Sequence, residues 1–295
     1  VSNKQTNKLE EFKVMKKIIF TNAHIVDPTQ KINKLGSLTV ENEKIVNLSF
    51  NNTNFKKSKN NEIIDCKKLI LAPGFVDLKC HLRVPGDEHK ENLSYASEAA
   101  ASSGITSLVC MPNTNPIIDN VSIVELLQRK ARKESHVKIF STASITKQLQ
   151  GRELSEFGLL KEAGAVAFTD AINAVNKSSV MYKALKYASA FDILLMQHPE
   201  DKELSAGGSM TAGKLATELG IKGIPLQAEV IQVERDLRLA EMTNGRIHFL
   251  NISTGLAIDA IRNAQKKGVK VTCSTSPHYF SLDEADIKKW RTFSK

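Results

Sequence analysis

From Pro73-Gly74 onward the chain alternates between two rhythms of hydrophobic and polar positions. Short apolar runs without helical period, at 76–82, 107–112, 138–144, 165–169, 192–198, 246–253 and 270–276, read as strands. Between them, 90–103, 119–134, 152–163, 178–190, 228–243 and 256–267 read as amphipathic helices. Gly104, Gly164, Gly245 and Gly268 stand just past four of these helices, where a left-handed closing residue is favoured. Strand starts fall 31, 31, 27, 27, 54 and 24 residues apart, and the long interval holds a glycine-rich loop and an extra helical segment at 199–227. Units of this size predict an α/β fold, a parallel sheet with helices outside, most economically a TIM-like (β/α)8 barrel. Seven strands are counted before Lys295, so a barrel incomplete at its C-terminus is expected, since two open parallel edges would be exposed otherwise.

The front of the chain follows a different pattern. Residues 15–72 alternate short β-type runs (IIFTNAHIV, SLTVENEKIVNLSF, NEIIDCKKLILA) with turn residues, which predicts a small β-meander, part of a β-sandwich. Residues 1–14 (VSNKQTNKLEEFKV) have no such pattern and are expected to be a disordered tail or a tag. The barrel domain is then 73–295.

Composition changes this picture little. No apolar run approaches the roughly 20 residues of a membrane span, and the first residues lack a signal-peptide core, so no membrane partner is expected. The net charge of +9 is concentrated at the front, where thirteen Lys and no Arg face seven Asp or Glu up to residue 68. Without an arginine cluster interleaved with aromatics, a solvated lysine-rich surface explains it, and no nucleic-acid partner is expected. Cys66, Cys80, Cys110 and Cys273 lack CxxC spacing and read as buried, reduced thiols of a cytoplasmic protein.

Candidate chemistry gathers at 76–86, VDLKCHLRVPG, a buried strand that breaks at Pro85-Gly86 into a polar loop and leaves His81 and Arg83 at its mouth. This stretch within APGFVDLKCHLRVPGDEHKE (72–91), with VCMPNTNPIID (109–119), AFTDAI (167–172), LLMQHPED (194–201), LSAGGSM (204–210), LGIKGIP (219–225), RIHFLNIST (246–254) and TSPHYF (275–280), resembles the dihydroorotases of the amidohydrolase superfamily in sequence and in block order. The likeness runs from Lys16 to about Phe293. It implies a TIM-like barrel with a β-sandwich built from both chain ends. For active members it implies zinc-dependent interconversion of carbamoyl aspartate and dihydroorotate.

Metal-assisted amide hydrolysis needs about three protein ligands per zinc, which lowers the pKa of a bound water. The resemblance places those ligands at the ends of several strands, and here they are altered. The first-strand His-x-His becomes Lys79-Cys80-His81, and an ammonium offers no lone pair. The Asp-Asp pair becomes Asp170-Ala171, with Ala171 at the ligand position; Asp170 could serve only through a one-residue shift that alternation opposes. His198 is retained, whereas the sixth-strand position is Asn251, with His248 expected on the opposite strand face. The remnant metal set is therefore His81, His198 and Asp170, expected to be unoccupied, and Lys79 is expected to stand in for the missing cation beside Asp170. Arg83 and Asn113 match the substrate-binding arginine and asparagine; Arg83 pairing with Glu88 or Glu91, and Asn113 bracing the turn before Pro116, are the structural alternatives. His278 has no assigned role, and His24, His89 and His136 read as surface residues.

These substitutions predict a non-catalytic homologue that supports aspartate carbamoyltransferase, with no cofactor. The alternative is an active zinc dihydroorotase with an atypical site. A third is a metal-free binder of carbamoyl aspartate or dihydroorotate through Arg83 and Asn113. A homo-oligomer is expected in each case.

Overall fold

A computed structural model describes residues 17–50, 55, 58 and 60–287. The predicted tail at 1–14 lies outside the described residues. The chain divides into two compact units, one ending at Gly74 and one starting at Phe75, two residues past the predicted boundary at 72.

In the first unit, β1 (Lys17–Asp27), β2 (Ile32–Glu41) and β3 (Lys44–Ser49) pair antiparallel in succession, as a meander should. The next two strands correct that expectation. β4 (Asn61–Asp65) and β5 (Ile70–Leu71) both lie parallel to β1, on its other side. The reason is in β1 itself. Its pairing with β2 shifts between Phe20 and Ala23, where Asn22 takes φ 56°, and this splits β1 into two docking halves. β4 takes Lys17 to Thr21; β5 takes His24 and Ile25. Alternation sends Ala23 and Ile25 into a small core with Cys66, Phe20, Leu38 and Leu48.

The second unit carries the seven predicted strands: β6 (Phe75–Cys80), β7 (Ile105–Cys110), β8 (Lys138–Ala143), β9 (Ala167–Thr169), β10 (Leu194–Gln197), β13 (Arg246–Phe249) and β14 (Val271–Cys273), hydrogen-bonded in that order and all parallel. Helices α1 (Leu93–Ser102), α2 (Val121–Glu134), α3 (Phe157–Glu162), α4 (Ser178–Ala190), α7 (Gln227–Thr243) and α8 (Gly255–Lys266) connect them. The Asn92, Asn120 and Thr254 side chains accept from the backbone N–H groups of Tyr95, Ile123 and Ala257, which starts α1, α2 and α8 at those residues. Gly104, Gly164 and Gly268 take φ of 80°, 104° and 87° as expected. The end of α7 differs: Asn244, not Gly245, holds the left-handed position (φ 53°), because asparagine tolerates it and comes one residue sooner.

Each strand has two distinct faces. Leu108, Cys110, Phe168, Leu195, Ile247 and Phe249 meet the helices in the main core. On the other face Val109, Met111, Ala167, Ala171, Met196 and Leu250 form a second, smaller cluster. The segment 199–227 corrects a further expectation. It holds two short helices, α5 (Lys202–Ser205) and α6 (Lys214–Glu218), and also a parallel pair of two-residue strands, β11 (Met210–Thr211) and β12 (Gly223–Ile224). A last short helix, α9 (Pro277–Ser281), follows β14. All four cysteines are free; Cys66 and Cys110 are buried and Cys80 is half-buried, but Cys273 is exposed because β14 ends the sheet. No helix among the described residues is long and apolar enough to cross a membrane.

Candidate functional site

The site lies where the inner faces of β6, β7, β9, β10 and β13 run out into loops. Cys80 packs toward the helix-side core, so its neighbours Lys79 and His81 turn to the inner face. By the same alternation Gln197 faces α7, where its Nε2 donates to Asp236 Oδ2 at 3.2 Å, and His198 turns inward. Asn113 follows β7 and its Oδ1 lies 3.0 Å from His81 Nδ1. His81 and Asn113 are thus brought together, and Arg83 lines the same small cleft.

Electrostatics at this mouth is set by Lys79. Burial lowers its pKa, and no carboxylate pairs with its ammonium among the described residues. Burial also lowers the pKa of His81, with Lys79 and Arg83 adding to the effect and the Asn113 hydrogen bond opposing it. His198 is lowered by burial first and by Lys79 second, while Glu200 pulls the other way from 3.5 Å. Both imidazoles are therefore favoured neutral, facing the same ammonium. His198 Nδ1 is buried with no hydrogen-bond partner.

Asp170 is elsewhere engaged. Its Oδ1 accepts from the Thr146 backbone N–H at 2.9 Å and its Oδ2 from the Thr146 hydroxyl at 2.5 Å, and Gly151 N–H in turn donates to that hydroxyl at 2.9 Å. Asp170 makes no ion pair with Lys79 among the described residues, and burial pushes its carboxyl up to about 6 against the Thr146 bonds. The expectation that Lys79 neutralises Asp170 is corrected: a neighbouring loop satisfies that carboxyl. Ala171 does face inward, in the inner cluster, with its N–H donating to Thr169 Oγ1 at 3.0 Å. Arg83, Ala171 and Asn251 all take left-handed φ, 58°, 58° and 56°.

Asn251 lines a cavity of about 540 Å³ with His198 and His278. His248 corrects another expectation. It pairs in register with Met196 of the inner cluster, so it lies on the inner face rather than the far one. The left-handed Asn251 breaks the alternation on which the expectation rested. His248 is nonetheless committed below the mouth, Nδ1 2.8 Å from Thr272 Oγ1 and Nε2 3.0 Å from Ser274 Oγ. Neither structural alternative for the substrate residues is realised: Glu88 bonds Gly86 N and Lys130 Nζ, and Thr114, not Asn113, bonds the Pro116 carbonyl. His24, His89 and His136 are exposed, as read from the sequence.

Two carboxylates at the mouth escaped the sequence reading. Glu229, on the first turn of α7, accepts from the backbone N–H and hydroxyl of both Ser253 and Thr254, at 2.6 to 3.0 Å, and so fixes the loop beyond Asn251. Glu200 sits two residues past His198, a spacing that was the available signal for it.

A catalytic zinc asks for about three protein donors with an open position. The unpartnered His198 Nδ1 suits a ligand, but the positions Lys79, Ala171 and Asn251 present an ammonium, a methyl and a carboxamide. Among the described residues no group of three or more His, Cys, Asp or Glu side chains is placed to hold a metal ion. Among the described residues the donor set is short of the three that a catalytic zinc asks for.

Comparison with known proteins agrees with the motifs. Residues 67–255 match the family described as Dihydro-orotase-like. The chain is 41% identical over 279 residues to the dihydroorotase of Syntrophus aciditrophicus (strain SB), covering 95% of this chain and 65% of that protein. It is 43% identical over 280 residues to the dihydroorotase of Wolbachia sp. subsp. Drosophila simulans (strain wRi), covering 95% and 63%. The chain thus spans just under two thirds of the length of these relatives. Among solved structures, L-hydantoinase (dihydropyrimidinase) from Arthrobacter aurescens superposes with a TM-score of 0.75 at 21% identity, over 92% of this chain and 61% of that one, and shares the amidohydrolase TIM-barrel fold. With its motifs, the family match and relatives above 40% identity all in accord, the chain belongs to the dihydroorotase family of the amidohydrolase superfamily.

Proposed function

We propose that this chain is a non-hydrolytic member of the dihydroorotase family. It serves pyrimidine biosynthesis as a metal-free structural partner of aspartate carbamoyltransferase. One observation carries the first part: half-buried Lys79 stands two residues before His81 on the inner face, and its charge acts on both His81 and His198. Two unit charges of like sign repel by about 4 kcal/mol at 4 Å in an effective dielectric of 20, and a dication doubles this. Two neutral imidazoles fall short of the roughly three donors a catalytic zinc takes. The partner follows from the family resemblance, in which silent homologues accompany that transferase.

The test uses the full-length protein purified without chelator. Elemental analysis is expected to return well under one zinc per chain, with dihydroorotate turnover at background. Co-elution with the transferase and a raised thermal midpoint of the complex are expected as well. Stoichiometric zinc with turnover removes the non-hydrolytic reading, and independent elution removes the partner.

The second reading, an active zinc dihydroorotase with an atypical site, is favoured by the unpartnered His198 Nδ1 and by relatives named dihydroorotase at 41 to 43% identity. The same zinc and turnover measurements decide between the two.

A further inference from the structure

Alternation and register put two hydroxyls and one imidazole on a single face. The parallel strands β13 and β14 pair His248 with Thr272, so Thr272 lies beside His248, and Ser274, two residues on, returns to the same side. The ring bridges them: Nδ1 is 2.8 Å from Thr272 Oγ1 and Nε2 is 3.0 Å from Ser274 Oγ. The backbone of Ser274 is fixed as well, its N–H donating to the Phe249 carbonyl and its carbonyl accepting from Ile252 N–H, each at 2.9 Å. His248 is buried, Ser274 half-buried and Thr272 exposed, so the base is sheltered beside a serine that stays partly open.

An activated nucleophile needs a base within hydrogen-bond reach, and the base needs a third group to orient it. Ser274, His248 and Thr272 stand in that order. Burial favours the neutral ring, with one N–H and one lone pair. With its proton on Nδ1 the ring donates to Thr272, and the Nε2 lone pair is left for the Ser274 proton. A threonine hydroxyl stands where a serine–histidine–aspartate site has a carboxylate, so it orients the ring without stabilising an imidazolium. Slow chemistry is the consequence.

We propose that Ser274 is a nucleophile that takes the acyl group of a small ester, with His248 its general base and Thr272 the positioning residue. Ser274 Oγ bonds to the ester carbonyl carbon while its proton passes to His248 Nε2. The bond from that carbon to the alcohol oxygen breaks, and the alcohol leaves with the proton from Nε2. An acyl-serine and a free alcohol are the products. The proposal stands apart from the dihydroorotate readings above, because none of its three residues occupies a metal or substrate position in them.

The probe is p-nitrophenyl acetate, added to the full chain, with nitrophenolate release followed by absorbance and the acetyl group located by peptide mass spectrometry. Acetylation of Ser274 is expected; a label confined to the exposed Cys273 or to lysines overturns the proposal. His248→Gln is expected to slow labelling of Ser274 by about a hundredfold, the ordinary worth of a general base, and an unchanged rate overturns the proposal. Thr272→Asp is expected to speed labelling by about tenfold or more, since a carboxylate stabilises the imidazolium, an effect that a merely structural threonine would not show. That exposed position decides the matter where His248→Gln does not fold, and a rate no higher than that of the unaltered chain overturns the proposal. Ser276 Oγ also lies 2.9 Å from an imidazole nitrogen, His278 Nδ1, but no third group holds that exposed ring among the described residues. Ser276→Ala is therefore expected to leave labelling unchanged, and its loss there overturns the proposal.

Discussion

Replacing Asp170 by asparagine is expected to stabilise this protein at neutral pH, although the carboxylate it removes accepts two good hydrogen bonds. Asp170 is 1% exposed, and the amide and hydroxyl of Thr146 donate to its carboxylate. Burial outweighs those bonds and holds the folded pKa at about 6 against an ordinary 3.8. A carboxyl raised on folding contributes stability that is full below pH 3.8 and is lost as pH rises through 6. That gap corresponds to about 3 kcal/mol of pH-linked stability. Asparagine resembles the protonated acid: it accepts from the Thr146 amide, donates to the hydroxyl and carries no charge. Asp170→Asn is therefore expected to match the parent near pH 4 and to exceed it by about 2–3 kcal/mol near pH 7.5. Urea denaturation followed by far-ultraviolet circular dichroism at half-unit pH steps measures the difference directly. A variant less stable than the parent at pH 7.5 would show that the Thr146 bonds outweigh desolvation, and the reasoning would fail.

Three further outcomes are expected. Arg235 donates to the fully buried Asp236 at 2.8 Å through Nε and to the Val175 carbonyl at 2.7 Å, so Arg235→Ala should cost about 3–5 kcal/mol in urea denaturation, and the double variant Arg235→Ala with Asp236→Asn should recover part of it. Fully buried Phe157 stacks on Tyr187 at 4.8 Å and tilts against Phe168 at 4.6 Å, so Phe157→Ala should cost about 3–5 kcal/mol, seen as a lower denaturation midpoint. His248, whose pKa burial lowers, contributes stability that is complete above pH 6.5 and declines as pH falls below it; His248→Gln should flatten that acid limb of the stability curve without reversing its sign at pH 8.

The barrel unit was largely legible because each of its signals is local. Apolar runs and 3.6-residue patterns placed all seven strands and the six connecting helices, with ends shifted by up to five residues, and the asparagine and threonine caps lie within three residues of what they bind. What the sequence concealed depends on distant partners or on single dihedral angles. Thr146 meets Asp170 across 24 positions, and Ser253 meets Glu229 across another 24. The parallel return of β4 onto β1 hinges on a shift in register at Asn22, and no hydrophobic pattern encodes a parallel partner. His248 was assigned to the wrong face because parity was counted back from Asn251, whose left-handed backbone interrupts the count. Two-residue strands such as β11 and β12 are too short to show any period. Lys79, Ala171 and Asn251 needed no geometry to notice; their surroundings did.

The three left-handed corners at Arg83, Ala171 and Asn251 have a consequence for engineering. An alanine in that conformation costs roughly 1–2 kcal/mol with no side-chain hydrogen bond to offset it, whereas asparagine and aspartate adopt it routinely. The left-handed peptide path at Ala171 is one that aspartate adopts more readily than alanine, so Ala171→Asp asks nothing new of the main chain. At these three corners the backbone and the side chain are thus separable choices.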